Sequence, residues 1–371
     1  MKLTIERSAL LRALAHVQNV VERRNTIPIL SNVQMVADDA GLNLTATDLD
    51  LAIVETAACD LQQAGGTTAP AHVLYDIVRK LPDGAQVEFD SATEEGRLLV
   101  RAARSKFALS CLPREDFPVM ADGELPHQFD LPAPDLRRLI EKTRFAISTE
   151  ETRYYLNGIY LHAPEGANVL RGVATDGHRL AHVEVPLPSG AAGMPGVIVP
   201  RKTVLEVHKL IEDGEGAVQV ALSESKVRFA FDDIVLTSKL IDGTFPDYQR
   251  VIPEGNDKHM EVDCKIFADA VDRVATISSE KSRAVKLSLN GDALVLSANS
   301  PEQGSGTDEV AVSYDGGDPL EIGFNARYLL DIASQIDGDN ARFDLSDAAS
   351  PTIIRDAADE GALYVLMPMR V

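Results

Sequence analysis

A chain of 371 residues is long enough for two or three domains and a large core, which excludes a single small module. Hydrophobic residues at 45% and charged residues at 25% exclude both wholesale disorder and a membrane protein. Lys+Arg 36 against Asp+Glu 57 leaves a formal net charge of −21, and a charge of that sign spread evenly would repel nucleic acid and anionic lipid.

The first residues alternate apolar and polar side chains, as a strand does, without the continuous apolar core of a signal peptide. No stretch approaches the roughly eighteen apolar residues of a membrane span. Leu10, Leu11, Leu14, Val17 and Val21 then recur at helical spacing, predicting a helix within 7–24. A second helix is predicted over 71–81 and a closing strand over 107–113, followed by Phe117 and Pro118. The same plan returns. A strand at 128–131 leads through Pro134 and Asp135 into Leu136, Leu139, Ile140, Thr143 and Ile147; a helix at 200–210 and a strand at 234–240 follow, then Phe245 and Pro246. In the third copy a strand at 260–263 leads into Phe267, Val271, Val274 and Ile277; a helix at 326–336 and a strand at 363–369 close the chain. Three α+β domains are therefore expected, at 1–124, 125–253 and 254–371.

The charge is uneven across this plan. The six helical windows (7–24, 71–81, 135–148, 200–210, 265–283 and 326–336) hold 18 basic and 9 acidic residues, and the remainder holds 18 and 48. Helices that pack an apolar stripe on sheets expose the opposite face, so the basic residues share one side, where an anionic partner fits. No zinc finger, basic zipper or aromatic RNA motif is present, so contact would be with phosphate and independent of base sequence. Six helices spaced about 10 Å apart enclose a hole of only about 9 Å, whereas twelve, from a head-to-tail dimer, enclose roughly 28 Å, enough for hydrated duplex DNA. Pairing of edge strands of the first and third domains would close such a dimer.

The copies diverge at one place. Ala46-Thr47-Asp48-Leu49-Asp50-Leu51 in the first corresponds to Ala174-Thr175-Asp176-Gly177-His178-Arg179 in the second, where Gly-His-Arg is new. Asp176 and His178 admit a hydrolase as the alternative reading, although no Gly-x-Ser-x-Gly elbow, Walker loop or HExxH accompanies them. The eight histidines lack metal-ligand spacing, and Cys59, Cys111 and Cys264 are too scattered for a zinc site and odd in number for a disulfide framework. Reduced thiols in a cytoplasmic protein, without metal or cofactor, are expected.

Arg153-Tyr154-Tyr155-Leu156-Asn157-Gly158, the run from Ala174 to Ala181, Thr237-Ser238-Lys239-Leu240, Phe245-Pro246-Asp247-Tyr248 and Met367-Pro368-Met369-Arg370 closely resemble the bacterial DNA polymerase III beta subunits, the sliding clamps, and the resemblance covers essentially the whole chain. It implies three repeated clamp-fold domains per chain and a head-to-tail homodimeric ring, helices inside and antiparallel sheets outside, encircling duplex DNA at primed templates. It implies a non-enzymatic processivity factor without cofactor. A pocket between the second and third domains would receive short linear motifs of the replicative polymerase alpha subunit, the clamp loader, other polymerases and repair proteins. By position that pocket comprises Leu156, Thr175, Gly177, His178, Arg179, Leu180, Pro246, Arg250, Val251, Val365, Met367, Pro368, Met369 and Arg370. DNA would be met by Arg24, Tyr154, Tyr155, Arg201 and Lys202. Two residues depart from the family pattern: Pro351 stands for a small polar residue at the pocket rim, and His72 for a basic residue on an inner helix. The pocket residues give no sign of a specialised clamp paralogue.

Overall fold

The computed structural model describes residues 1–93, 96–121, 123–212, 214–278 and 283–370. Six helices interrupt an otherwise antiparallel β chain in this part: α1 (Arg7–Gln18), α2 (Ala71–Arg79), α3 (Ala133–Glu141), α4 (Arg201–Leu210), α5 (Cys264–Ala275) and α6 (Ala326–Ala333). The first helix of each repeat follows directly on a strand: Lys2–Glu6, His127–Pro132 and Lys258–Asp263. Polar side chains at the junctions start several of them. The Glu6 carboxylate accepts from the Ser8 and Ala9 N–H groups, Asp263 from Ile266 N–H and Asn325 from Arg327 N–H, satisfying donors that a helix start leaves open. α3 begins two residues before Asp135, because Pro134 needs no N–H bond in a first turn and Ala133 donates to Gly216 O at 2.8 Å.

The helices end sooner than apolar periodicity suggests. α1 stops at Gln18, where Asn19, Val20 and Val21 turn to carbonyls three residues back, so Arg23 and Arg24 stand beyond the helix. After α3, the Thr143 hydroxyl bonds to Leu139 O at 2.5 Å and a short 3-10 turn, Arg144–Ala146, replaces the expected continuation. α5 ends at Ala275; the expected extension to 283 runs through residues 279–282, which lie outside the described residues, as does Val371.

Contacts divide the chain into two compact units, Met1–Pro134 with Ser189–Ala191 and Leu205–Leu240, and Asp135–Pro188 with Ala192–Val204 and Ile241–Val371. Each holds two antiparallel sheets. The first unit has a five-stranded sheet, with Ser105–Ser110 at one edge, and an eight-stranded sheet. In the larger sheet Leu51–Ala57 of the first repeat pairs with Ile234–Lys239 of the second, from Leu51 opposite Ser238 to Glu55 opposite Ile234. The second unit has a nine-stranded sheet, where Arg179–Pro186 pairs with Ala362–Leu366, and a four-stranded sheet with Gly304–Ala311 at its edge. Leu10, Leu14 and Val17 of α1 and Leu74 and Val78 of α2 are buried in the first core; Phe267, Val271 and Val274 of α5 and Leu329 and Ile332 of α6 are buried in the second.

Candidate functional site

The divergent segment is a tight turn built identically in both copies. Thr47 Oγ1 donates to Leu51 O and accepts from Leu49 N–H, while the Asp48 carboxylate accepts from Asp50 and Leu51 N–H. Thr175 Oγ1 likewise donates to Arg179 O at 2.7 Å and accepts from Gly177 N–H, and the Asp176 carboxylate accepts from His178 and Arg179 N–H. The shared Thr-Asp therefore makes the turn. The third turn position is left-handed in both, with φ of 80° at Leu49 and 88° at Gly177. In the second copy the position is glycine, and a Cβ there would stand 2.5 Å from Arg153 Nη1 and push the end of that side chain aside. Because Asp176 serves the turn and Arg179, it does not orient the His178 ring, which lies 6.3 Å from the Tyr328 ring instead.

Beside this turn, within the second unit, lies a largely apolar groove of about 270 Å³. Leu156, Thr175, Gly177, His178, Arg179, Leu180, Pro246, Val251, Val365 and Met367 line it. Its buried wall is one cluster containing Leu156, Leu180, Phe245, Tyr248 and Val365. Met367 stands at the rim, 42% exposed. Arg250, Pro368, Met369 and Arg370 do not line this cavity: Arg250 pairs with Asp247 at 2.8 Å, Met369 N–H donates to Gly323 O, and Arg370 is exposed. Arg153, Tyr155, Asp247 and Tyr248 line it in addition to the expected set. Of these, Asp247 and Tyr248 follow Pro246 directly in the chain, and that adjacency was the signal that could have found them.

Two structural devices hold the groove. The Tyr248 hydroxyl accepts from Arg171 Nη1 at 2.8 Å and lies 3.0 Å from His162 Nε2; Arg171 also pairs with Glu184, on which His182 borders. Burial pulls both His162 and His182 down to about 4, with the Arg171 charge adding to the effect, so both rings are neutral near pH 7. The second device is Arg179, only 8% exposed. Its guanidinium donates to Asp176 at 3.1 Å, Asp331 at 2.6 Å and Phe145 O at 2.7 Å, with its carbon 4.3 Å from the Tyr328 ring centre and 5.1 Å from that of Phe145. Arg179 thus carries the wall, with Nε, Nη1 and Nη2 each donating to an acceptor of the protein itself.

Among the candidate DNA contacts, Arg24 is exposed in the first unit. In the second, Tyr154 is exposed and meets Tyr155 edge-on, ring centres 5.8 Å apart, and Arg201 and Lys202 open α4. Tyr155 also lines the groove, so it borders both candidate surfaces. His72 turns from the surface: its ring nitrogens lie 2.9 Å from Gln18 Oε1 and 2.9 Å from Val21 O, tying α2 to the end of α1. Pro351 is absent from the groove lining, and its carbonyl accepts from Asn256 at 3.0 Å. Among the described residues no group of three or more His, Cys, Asp or Glu has a metal-binding arrangement, and no helix is long and apolar enough to cross a membrane.

Three family profiles match the chain in succession: the DNA polymerase III beta subunit N-terminal domain at residues 1–121, the central domain at 130–247 and the C-terminal domain at 249–370. The sequence is 55% identical over 373 residues to the Beta sliding clamp of Caulobacter vibrioides and 43% identical over 372 residues to that of Pseudomonas aeruginosa, with 100% of each chain covered. Among solved structures, it matches the DNA polymerase III subunit beta of Bartonella birtlesii bound to griselimycin with a TM-score of 0.97 and 51% identity, covering 100% of both chains.

Proposed function

Because the chain belongs along its whole length to the DNA polymerase III beta subunit family, the bacterial sliding clamps, we propose that two copies close head to tail into a ring around duplex DNA at primed templates. The chain is a non-catalytic processivity factor: it raises the effective concentration of a tethered polymerase at its template. The observation that carries the partner reading is the apolar groove beside the Thr175–Arg179 turn, whose volume and largely apolar lining suit an extended peptide with apolar side chains. Short motifs of the polymerase alpha subunit, the clamp loader and other polymerases and repair proteins dock there. Leu156, Thr175, Gly177, His178, Leu180, Pro246, Val251, Val365 and Met367 form its surface, Arg179 supports it, and Arg250, Pro368, Met369 and Arg370 act outside the cavity along the same segments.

In this reading the domains are 1–124, 125–253 and 254–371, and Arg24, Tyr154, Tyr155, Arg201 and Lys202 contact the DNA backbone without reading bases. The two outer edge strands make the closing contact. Ser105–Ser110 exposes Lys106 and Phe107, and Gly304–Ala311 exposes Glu309, so an antiparallel pairing of one protomer's strand with its partner's would cover both edges and match opposite charges. The ring works in the cytoplasm, where Cys59, Cys111 and Cys264 stay free thiols.

Loading onto nicked circular DNA, followed by linearisation, tests the ring. Retention on the circle and loss after the cut are expected; equal retention on both would mean ordinary surface binding. Light scattering that finds only monomer at micromolar concentration would overturn the two-copy assembly.

A further inference from the structure

Sulfur chemistry singles out one residue of the groove. Of the seven methionines, Met1, Met35, Met194 and Met260 are buried and Met120 and Met369 half-buried, whereas Met367 is 42% exposed. The thiols compete poorly for an oxidant. Cys59 and Cys111 are half-buried and Cys264 is buried, and burial pushes all three up, Cys264 to about 11, so near pH 7 they stay protonated and weakly nucleophilic. A thioether needs no deprotonation, so exposure decides its reactivity.

The main chain fixes where that sulfur sits. Met367 follows Val365 and Leu366, which are buried at the end of the strand Ala362–Leu366. Its N–H donates to His178 O at 2.9 Å, and two residues on Met369 N–H donates to Gly323 O at 2.9 Å. The tail is thus tied at Met367 and just beyond it, which keeps the thioether at the rim of the groove that Leu156, Leu180 and Val365 line. We propose that Met367 is a modification site, at which a two-electron oxidant such as hydrogen peroxide closes the groove to peptides. The inference rests on the reading of this groove as the place where linear motifs dock. The sulfur lone pair attacks one peroxide oxygen; an S–O bond forms as the O–O bond breaks, and the departing hydroxide takes the remaining hydroxyl proton to become water. Sulfur gives up two electrons, and the product is a sulfoxide. A methionine sulfoxide reductase reverses the step, releasing the oxygen as water while a dithiol becomes a disulfide. The sulfoxide oxygen is a hydrogen-bond acceptor on an apolar rim. A docking apolar side chain strips its water and offers no donor in return, and Nε, Nη1 and Nη2 of Arg179 in the wall already donate to Asp176, Asp331 and Phe145 O. A peptide already in place covers Met367, so an occupied groove is shielded and a free one is open to the oxidant.

Peroxide treatment of the full chain tests this, with mass mapping to read the modification and fluorescence anisotropy of a labelled Ser-Leu-Leu-Phe peptide to read the groove. Met367 should gain one oxygen before the other six methionines, and affinity should fall about tenfold or more in step with that gain. A methionine sulfoxide reductase with dithiothreitol should restore both. Excess peptide should slow the gain at Met367 and leave Met120 unaffected. Met367→Leu, whatever its starting affinity, should keep it through the treatment, and Met367→Gln, which sets an oxygen at similar reach, should bind as the oxidised chain does. Oxidation of Met120 or Met369 ahead of Met367, undiminished affinity at full conversion, or an equal loss in Met367→Leu would overturn the proposal alone. An untreated chain that does not bind the peptide would overturn the groove's reading, and the proposal with it.

Discussion

Arg179 borders the groove, yet its guanidinium is committed to Asp176, Asp331 and the Phe145 carbonyl between two aromatic rings. Arg179→Ala should therefore cost about 3 kcal/mol of stability by stranding two carboxylates, and Arg179→Lys should not restore it, since one ammonium cannot span three separated acceptors; denaturant midpoints check both. Met367→Ala is the cleaner test of the groove: it should weaken apolar peptide binding with the midpoint unchanged. The two turns make a matched pair. Gly177→Ala should cost about 1 kcal/mol and displace the end of Arg153, whereas Leu49→Gly, at the same left-handed position and 42% exposed, should be neutral or stabilising by up to about 1 kcal/mol. His162 and His182 bring a pH dependence. Their protons are taken up readily by the unfolded chain below its ordinary value of 6.5 but by the fold only near 4, so stability is full above pH 6.5 and falls as pH drops toward 4, by up to about 1.4 kcal/mol per pH unit for each ring. His182→Gln should flatten that slope in thermal melts. Thr175, Gly177 and Leu180 could be placed from sequence because they differ or agree with the first copy at identifiable positions. Arg153 and the Arg171–Tyr248–His162 network could not: pairing across 77 and 86 residues leaves no local pattern.

At the scale of elements, period and capping chemistry carried most of the information. Each predicted helix exists because its apolar stripe, Leu10, Leu14 and Val17 in α1 or Phe267, Val271 and Val274 in α5, meets a sheet face. Their ends were harder to read, because what stops α1 and the α3 segment is backbone geometry and a threonine back-bond, neither of which interrupts apolar periodicity. Asp263 is the clearest cap, accepting from Ile266 N–H at 2.8 Å, and Asp263→Ala should cost about 1 kcal/mol. The expected loss is a lower unfolding midpoint with the denaturant slope unchanged.

For the whole molecule, the net charge of −21 misleads until it is divided, since the helical windows hold 18 basic residues against 9 acidic ones and the rest of the chain 18 against 48. DNA affinity should accordingly fall steeply with salt while changing little with base sequence, a result that titrations on two unrelated duplexes would check. The pattern of sheets was less legible than the pattern of repeats. Alternation predicts a strand, but not that Leu51–Ala57 bonds to Ile234–Lys239 or that Arg179–Pro186 bonds to Ala362–Leu366, because both partners lie far along the chain. Those two seams mean that a repeat is an inherited segment without being an autonomous folding unit. Excised at its sequence limits, the first repeat would present the unpaired ladder from Leu51 to Glu55 to solvent and to other copies of itself. Amide exchange in the intact chain should find its slowest protons on either side of each seam, and the repeats should be lost together within a unit when it unfolds.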